Sequence, residues 1–474
     1  MPPLKSTDQN NNQNESSGSE PLPTTSTEPS LMPQFTPATP QEANIRSNEP
    51  LKPKKSGKRR AVLILLLLVI LSGTGAAAYL LTRPETPTPQ SPTHNQVLEP
   101  QTTPNISTND LSKARTEMGI KLLQQLSNSN DSVFISPTSI STALTMVQAG
   151  AKNQTKNEIR SALQLGDIDD EELNTKNLAI QQRLTQSSSD VMTNIANSAW
   201  IDDKFSVEPS YVALLKDSYM AEVQNLDLQA TGSAEKIDDW VKQKTNNKIQ
   251  AIAPNPIPND YVMMLINAVY FKGTWKYQFD EADTKNREFT AADGSKKDTP
   301  LMTLESEDLK YYEEDGLQAI ELPYGKEGKY AMNVVLPDNL DAYLKELDNE
   351  KLNATLGKLK QKEGTLLLPR FKLEYDTSLV KPLQLLGAKT AFSDSADFSG
   401  IGRGLKISEV KHKTFVEVNE EGTEAAAVTS IGIATESVGP STDRYYMEVN
   451  KPFFLIIRDV ESGEPLFMGA IKKV

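Results

Sequence analysis

Few residues of this 474-residue chain have the types and spacing that catalysis or metal binding needs. The chain has no cysteine and two histidines, His94 and His412, of which His94 lies in a stretch rich in proline and threonine. A zinc site usually takes several His or Cys ligands. A serine hydrolase needs a base beside its nucleophile, and no Gly-x-Ser-x-Gly or Gly-Lys-Ser/Thr pattern is present. We therefore expect no metal site, no cofactor and no enzymatic activity.

The acidic residues predict neither a metal site nor a nucleic-acid partner. Residues 167–172 contain five carboxylates, but they lack the spaced ligands and the glycine of a calcium loop. We interpret them as a solvated connection. The chain has 63 acidic and 50 basic residues and a net charge of −13. This balance argues against nucleic-acid binding, which needs clustered lysine and arginine.

Residues 420–436 have the most informative spacing in the chain. Every second side chain from position 423 to 435 is uncharged and either small or β-branched, so one face of an extended segment can be buried. These side chains are Thr423, Ala425, Ala427, Thr429, Ile431, Ile433 and Thr435. No proline occurs before Pro440, so every backbone N–H can join a sheet. Spacing alone equally fits an edge strand or a flexible connector.

The N-terminal part of the chain indicates a membrane anchor. Residues 1–60 are rich in polar residues and proline and end in a basic cluster. This composition predicts a disordered tail, which we place in the cytoplasm. Residues 61–81 are uncharged and long enough to span a bilayer as one helix, with the positive flank on the cytoplasmic side. The alternative is a signal peptide cleaved after the small residues 76–78, followed by secretion. Residues 82–108 form a Pro/Thr-rich linker.

Residues 109–474 predict one α+β domain. Asp110 is placed to cap a helix with an apolar stripe that runs to Leu126. A short strand is expected at 133–135, and a second helix ends near Gly150. Further strands are expected at 265–271 and 330–336, and residues 453–457 and 466–468 predict a hairpin. Helices and antiparallel strands thus alternate without a repeat.

Several blocks of this domain resemble the serpin family in content and in order. They are VFISPTSI at 133–140, GAKNQT at 150–155, NAVYFKGTW at 267–275, LPY at 322–324, LPRFK at 368–372, ISEVKHK at 407–413, VEVN at 416–419, NKPFFLII at 450–457 and PLFMG at 465–469. The run at 420–436 resembles the hinge and reactive loop of that family. The resemblance implies the serpin fold, with three β-sheets, surrounding helices and an exposed reactive loop, here preceded by a single transmembrane helix.

The resemblance also implies roles for individual residues. The reactive bond falls between Glu436 and Ser437, although the stretch up to Pro452 is longer than is common in the family, so a bond beside Thr435 or Val438 is the alternative. Trp275 matches the breach, where the loop first enters the sheet, or is a plain core residue. The hinge comprises Glu420, Glu421, Gly422, Thr423, Glu424, Ala425, Ala426 and Ala427. The shutter comprises Ser136, Ser139, Asn267 and His412, with protonation of the histidine as a hypothetical control of opening.

The function implied is that of a suicide-substrate inhibitor of serine-type endopeptidases. The reactive loop is cut and inserts into the main sheet together with the bound protease. The expected target is a glutamyl-specific or elastase-like serine protease, with a cysteine protease as a further alternative. We expect a monomer in the cell membrane, single-pass, with the serpin domain outside the cytoplasm. The alternative function is that of a non-inhibitory serpin acting as a binding or chaperone-like module.

Overall fold

The structure, a computed structural model, describes residues 106–186, 188–423 and 443–474. These residues belong to the compact unit Pro100–Val474. The expected tail 1–60, the span 61–81 and all but the last three residues of the linker 82–108 lie outside the described residues. None of the helices in the described ranges is long and apolar enough to cross a membrane.

Helices of the described ranges surround three sheets. They are α1 (Asn109–Leu126), α2 (Pro137–Gly150), α3 (Asn153–Ala162), α4 (Asp170–Leu184), α5 (Pro209–Tyr219), α6 (Ser233–Lys244), α7 (Leu340–Glu346), α8 (Asn349–Gly357) and α9 (Val380–Leu385). The described ranges also contain two short 3₁₀ helices, Glu281–Asp283 and Thr390–Phe392.

The first sheet has seven strands in the order β1-β17-β16-β9-β8-β7-β10. Its strands are β1 (Val133–Ile135), β7 (Lys310–Glu314), β8 (Leu317–Tyr324), β9 (Tyr330–Pro337), β10 (Lys360–Gln361), β16 (Phe453–Asp459) and β17 (Pro465–Ile471). The second has four strands in the order β15-β11-β6-β5. Its strands are β5 (Lys285–Thr290), β6 (Lys296–Ser306), β11 (Gly364–Pro369) and β15 (Tyr445–Glu448).

The third sheet has six strands in the order β12-β13-β14-β4-β2-β3. Its strands are β2 (Val191–Asp202), β3 (Glu222–Leu226), β4 (Met263–Thr274), β12 (Phe371–Ser378), β13 (Lys411–Val418) and β14 (Gly422–Thr423). The three sheets and their covering helices confirm the α+β class and the serpin-type architecture expected from the sequence.

The two N-terminal helices form as the sequence predicts, with one difference at a cap. Leu111, Met118 and Leu122 of α1 are fully buried. Thr108 is the N-cap of α1, and Asp110 is the second residue of the helix, where its carboxylate accepts from the Leu111 N–H at 2.9 Å. The prediction of Asp110 as the cap was therefore wrong by two residues, because its side chain satisfies the adjacent N–H instead.

A buried ion pair joins the first helix to the last hairpin. Arg115 and Glu464 are 2.5 Å apart and both side chains are 1% exposed. Ser112 and Thr138 also donate to the Glu464 carboxylate, at 2.6 and 2.7 Å. Breaking such a buried pair from one side leaves a charge uncompensated. The pair therefore holds α1 against the start of β17.

The six-stranded sheet is incomplete at its centre. β14 has two residues and lies between β4 and β13, which are otherwise not paired with each other. Beyond Thr423, the facing edges of β4 and β13 have no ladder partner among the described residues. This gap positions the candidate site.

Candidate functional site

A tight turn carries the chain from β13 into β14. The side-chain oxygen of Asn419 accepts from the N–H groups of Glu421 and Gly422, each at 3.1 Å. The backbone N–H of Asn419 donates to the Gly422 carbonyl at 3.0 Å. An asparagine that bonds to the backbone two and three residues later is typical of turns. The hinge residues thus fold back between the two open strands.

Gly422 is required by a close approach of two strands. It pairs with Thr274 in β4. A Cβ atom added at Gly422 would lie 2.0 Å from the carbonyl oxygen of Gly273. Any other residue would push β14 away from β4, so the glycine fits a need for backbone contact.

Thr423 is the last described residue before the loop, and it is buried. It pairs with Gly273 on one side and with Val418 on the other, and it is 3% exposed. Its hydroxyl shares a hydrogen bond of 2.6 Å with the hydroxyl of Tyr324. Burial raises the pKa of this tyrosine, so its hydroxyl stays protonated. The position accepts a small polar side chain and would penalise a charge.

Glu420 is held in a polar pocket within the turn. The residue is 3% exposed, forms an ion pair with Arg370 and accepts from the Thr284 hydroxyl at 2.6 Å. Burial alone would raise the pKa of this carboxyl, but the hydrogen bonds from Arg370 and Thr284 outweigh it and lower the pKa. Glu420 is therefore an ionised anchor of the hinge.

Trp275 contacts the hinge through its backbone and its ring. Its N–H donates to the Glu421 carbonyl at 2.8 Å, and its indole N–H donates to the Asn419 carbonyl at 2.9 Å. Its ring stacks on Tyr324 with centroids 4.4 Å apart and planes 17° apart. The side chain is thus a core residue and a hinge contact at once. Its role as the breach tryptophan stays a prediction.

Three hinge partners were missed from the sequence. Tyr324 and Arg370 lie in two of the blocks that resemble serpins, but no role was assigned to them. Thr284 lies in no block. Glu420 is 136 residues from Thr284 and 50 from Arg370. Local spacing carries no signal for contacts between residues so far apart in sequence. Tyr324 and Arg370 could have been singled out only because they lie in blocks that resemble serpins.

Three of the four expected shutter residues lie together beneath the gap. The Ser136 N–H donates to Nε2 of His412 at 3.1 Å. The Ser136 hydroxyl donates to the Leu466 carbonyl at 2.6 Å and accepts from the Ser139 N–H at 3.2 Å, which caps α2. These bonds connect β13, α2 and β17. The expected mobility control at this place stays a prediction.

Asn267 lies on the opposite side of the gap, on β4. It pairs in register with Asn197 of β2, and its Nδ2 donates to the Asn197 side-chain oxygen at 2.6 Å. Asn197 in turn donates to the carbonyl of Tyr219, so its own oxygen must be the acceptor and the orientation of Asn267 is fixed. The Oδ1 atom of Asn267 is buried and has no hydrogen-bond partner among the residues that the structure describes.

The pKa of His412 argues against the hypothesis that its protonation controls opening near neutral pH. Burial lowers the pKa of His412 to about 4, and the charge of Asp376 opposes this shift only in part. The imidazole is therefore neutral from pH 5 to 8, the range in which an unperturbed histidine changes charge. Because Nε2 accepts from Ser136, Nδ1 carries the proton.

Two carboxylates of the acidic run at residues 167–172 take part in structural contacts. Asp169 caps α4 by accepting from the Glu172 N–H at 2.9 Å, and Asp170 pairs with Arg160 at 3.1 Å. Elsewhere, Asp202, Asp203 and Asp227 bring carboxylate oxygens within 4.8 Å of one another. A lysine and backbone N–H groups already bond to Asp202 and Asp227. We therefore assign no metal to this group.

The remaining predicted site residues lie outside the described residues. They are Glu424, Ala425, Ala426 and Ala427 of the hinge and Glu436 and Ser437 of the reactive bond.

A six-stranded sheet that is open at its centre, with Gly422 and Thr423 already paired inside the opening, defines a protein of the serpin class. The profile of the family described as Serpin (serine protease inhibitor) matches residues 113–474, and this chain belongs to that family. As a family, serpins are protease inhibitors rather than enzymes.

Relatives and solved structures agree with this membership. Iripin-2 from Ixodes ricinus is 35% identical over 375 residues, which cover 77% of this chain and 94% of the relative. Intracellular coagulation inhibitor 2 from Tachypleus tridentatus is 32% identical over 376 residues, covering 77% of this chain and 91% of the relative. The native-state crystal structure of Tengpin, a thermophilic serpin, is similar with a TM-score of 0.70 and 31% identity. It covers 77% of this chain and 94% of the other.

Proposed function

We propose that this protein is a suicide-substrate inhibitor of serine-type endopeptidases. A protease cuts the loop that follows the hinge, stays joined to the cut end as an acyl-enzyme, and is displaced as the loop inserts into the six-stranded sheet. The observation that carries this proposal is β14. Gly422 and Thr423 occupy the first ladder positions between β4 and β13, so insertion needs only to continue a strand that has begun.

The register of β14 on β4 predicts where later loop residues would go. Thr423 pairs with Gly273 in an antiparallel ladder. Counting on from that pair would bring Thr429 opposite Asn267. The threonine hydroxyl there is a suitable donor for the buried Oδ1 atom of Asn267.

The register on β13 leads to the same residue. Thr423 pairs with Val418, and counting on from that pair would bring Thr429 opposite His412. Two independent ladders therefore agree that Thr429 would lie between two of the residues expected to form the shutter. This agreement supports insertion of 424–435 without a register shift.

Insertion would satisfy the open edges of two strands. Each ladder hydrogen bond contributes about 0.5–1.5 kcal/mol net, and a segment of about a dozen residues forms many of them. The inward positions from Thr423 to Thr435 are uncharged, so no buried charge opposes entry. At about 3.3 Å per residue, the cut end would move on the order of 40 Å or more. Such a displacement can distort the active site of an attached protease.

The proposed reactive bond lies between Glu436 and Ser437. A glutamate before the bond favours a protease with a positively charged pocket. A bond beside Thr435 or Val438 would instead favour an elastase-like enzyme.

We further propose that residues 61–81 anchor the inhibitor in the cell membrane, with the serpin domain outside the cytoplasm. The support is the length of the apolar run and the basic flank before it. Retention of the full chain in membranes washed with sodium carbonate would agree with an anchor. A mature chain that begins after residue 78 would instead indicate a cleaved signal peptide and a secreted protein.

The function is tested by mixing the protein with glutamyl-specific, elastase-like and trypsin-like serine proteases and one cysteine protease. We expect an SDS-resistant complex with at least one enzyme and a released C-terminal peptide that begins at Ser437, identified by mass spectrometry. Cleavage with no complex from any enzyme would favour the non-inhibitory alternative. A peptide with another start would reject our choice of bond and leave the inhibition itself standing.

A further inference from the structure

A cavity of about 550 Å³ lies in the gap between β4 and β13, away from β14. Among the described residues of β4, only 263–267 line it, whereas β14 pairs with residues 273 and 274 at the other end of that strand. Residues 404–413 line it on the opposite side. The cavity therefore lies where a longer β14 would run.

The core side of this cavity is apolar and incompletely filled. Ala143 and Val147 of α2 and Met263 and Leu265 of β4 line it, and all four are only half-buried. Apolar side chains that enter here would be removed from water, which is favourable.

Nearer to β14, the core side of the gap is filled by aromatic rings. Phe271 of β4 is 5% exposed, and its ring packs against those of Tyr324 and Tyr330 with centroids 5.0 and 5.9 Å away. A strand that continues β14 therefore meets packed rings first and the cavity farther on.

The side chains that follow Thr423 match this order of spaces. Continuing the ladder of β14 on β4 would bring Ala425 opposite Phe271, and Ala427 and Thr429 to the next positions on the core side. These side chains are small, as close packing against the rings requires.

The first large side chains on the core side fall at the cavity. The same ladder would bring Ile431 opposite Leu265 and Ile433 opposite Met263. Both isoleucines are larger than every core-side residue before them in the segment. The change from small to large side chains thus coincides with the change from packed core to cavity, which identifies this segment as the occupant.

The outer side of the same positions is already covered. Met264 packs there with Ile252 and Tyr261 on the smaller apolar cluster beneath α6. Ile252 and Tyr261 also line the cavity. The ladder would bring Gly432, which has no side chain, opposite Met264. The segment therefore has its bulk on the side that has room.

We propose that this cavity receives the side chains of Ile431 and Ile433 when the cut loop inserts, and that their burial stabilises the inserted form. This role rests on the function proposed above, and it gives the far end of the new strand a specific receptor. Both residues precede the proposed reactive bond, so they hold the part of the loop to which the protease is joined.

Stability before and after a defined cut tests this role in the full chain. A recognition sequence for a site-specific protease replaces residues 437–442, which follow the core-side positions, and unfolding is measured in guanidinium chloride. Cutting should raise the midpoint of this parent. The double variant Ile431→Ala, Ile433→Ala should lower the midpoint of the cut form by about 0.5 M or more and leave that of the uncut form unchanged.

Two substitutions on one helix locate the receptor. Ala143→Leu takes up part of the cavity and should lower the midpoint of the cut parent. Combined with the double variant, it should restore at least about half of the lost midpoint, because the leucine replaces the missing side chains. Ala149→Leu is the matched control, since Ala149 is half-buried on α2 but does not line the cavity. It should restore nothing.

The outcomes separate this role from the proposed function. If the cut parent is no more stable than the uncut parent, insertion itself fails, and the proposed function fails with it. If cutting stabilises the parent and the double variant by the same amount, the cavity is not the receptor although the loop inserts. A loss of midpoint that is equal in the cut and uncut forms of the double variant would also overturn the role.

Discussion

The hydroxyl oxygens of Tyr324 and Thr423 lie 2.6 Å apart and share a buried hydrogen bond. Tyr324 ends β8 and Thr423 ends β14, so the bond ties the hinge to the seven-stranded sheet. The stacking of Tyr324 on Trp275 places the hinge, the ring pair and the end of β4 in one packed unit. The starting point of the proposed insertion is thus held by specific contacts.

Tyr324→Phe should weaken this unit. The variant keeps the ring but leaves the Thr423 hydroxyl without its buried partner, at a cost of about 1–3 kcal/mol. We expect that loss in the free energy of unfolding of the uncleaved protein, measured in urea. Tyr446→Phe is the control, because Tyr446 is 54% exposed. Equal stability of Tyr324→Phe and the parent would show that the bond contributes nothing.

Thr423→Arg should convert the inhibitor into a substrate. Thr423 is 3% exposed between two strands, so a guanidinium there would be buried without a partner and would oppose strand entry. Loop cleavage should continue while the SDS-resistant complex falls at least about tenfold. Thr423→Ser keeps the hydroxyl and should form complex normally. Stable complexes from the arginine variant at full stoichiometry would refute the insertion mechanism.

The Glu420 anchor should weaken in acid. The pKa of its carboxyl is lowered in the folded state, so its stabilising effect is complete above the ordinary glutamate value of about 4.3 and is lost as the pH falls through the lowered pKa. Glu420→Gln should therefore be less stable than the parent at pH 7, and the difference should shrink below about pH 4. A difference that stays constant from pH 7 to pH 3 would exclude this role.

His412 should affect stability in a different pH window. Its pKa is lowered from 6.5 to about 4 by burial. The unfolded chain therefore takes up the proton first, and stability is lost as the pH falls from about 6.5 to about 4, by up to about 3 kcal/mol. His412→Gln should lack this component. Between pH 6 and 8, the rate of protease inhibition should show no pH dependence that arises from His412. A pH dependence in this range that His412→Gln removes would contradict the burial argument.

Local patterns predicted much of the fold. The apolar stripe of α1 and the hairpin of β16 and β17 appear where the spacing of apolar residues placed them. The run of small alternating residues from Thr423 was also visible, but its interpretation as a hinge came from the resemblance, because spacing alone fits an edge strand or a flexible connector equally well. The position of Glu420 in the hinge came from the resemblance, but its partners depend on contacts between distant segments.

Asn267 shows most clearly what the sequence left open. The resemblance grouped it with Ser136 and His412, yet its side-chain amide donates to Asn197, its ladder neighbour in β2. Strand order in a sheet is a nonlocal property, and no spacing within one segment determines it. The separation of Asn267 from His412 by the gap could therefore be learned only from the three-dimensional structure.

The ion pair of Arg115 with Glu464 spans 349 residues of sequence. A ribosome adds the glutamate 349 residues after the arginine, so α1 cannot form this contact until the strands from β1 to β16 have been synthesised. The sheets cannot be completed vectorially from the N-terminus, and unfinished strands stay exposed to other chains during that time. Deleting the last eleven residues, which include Glu464, should therefore reduce the yield of folded protein far more than a substitution at any single exposed position in the body of the domain.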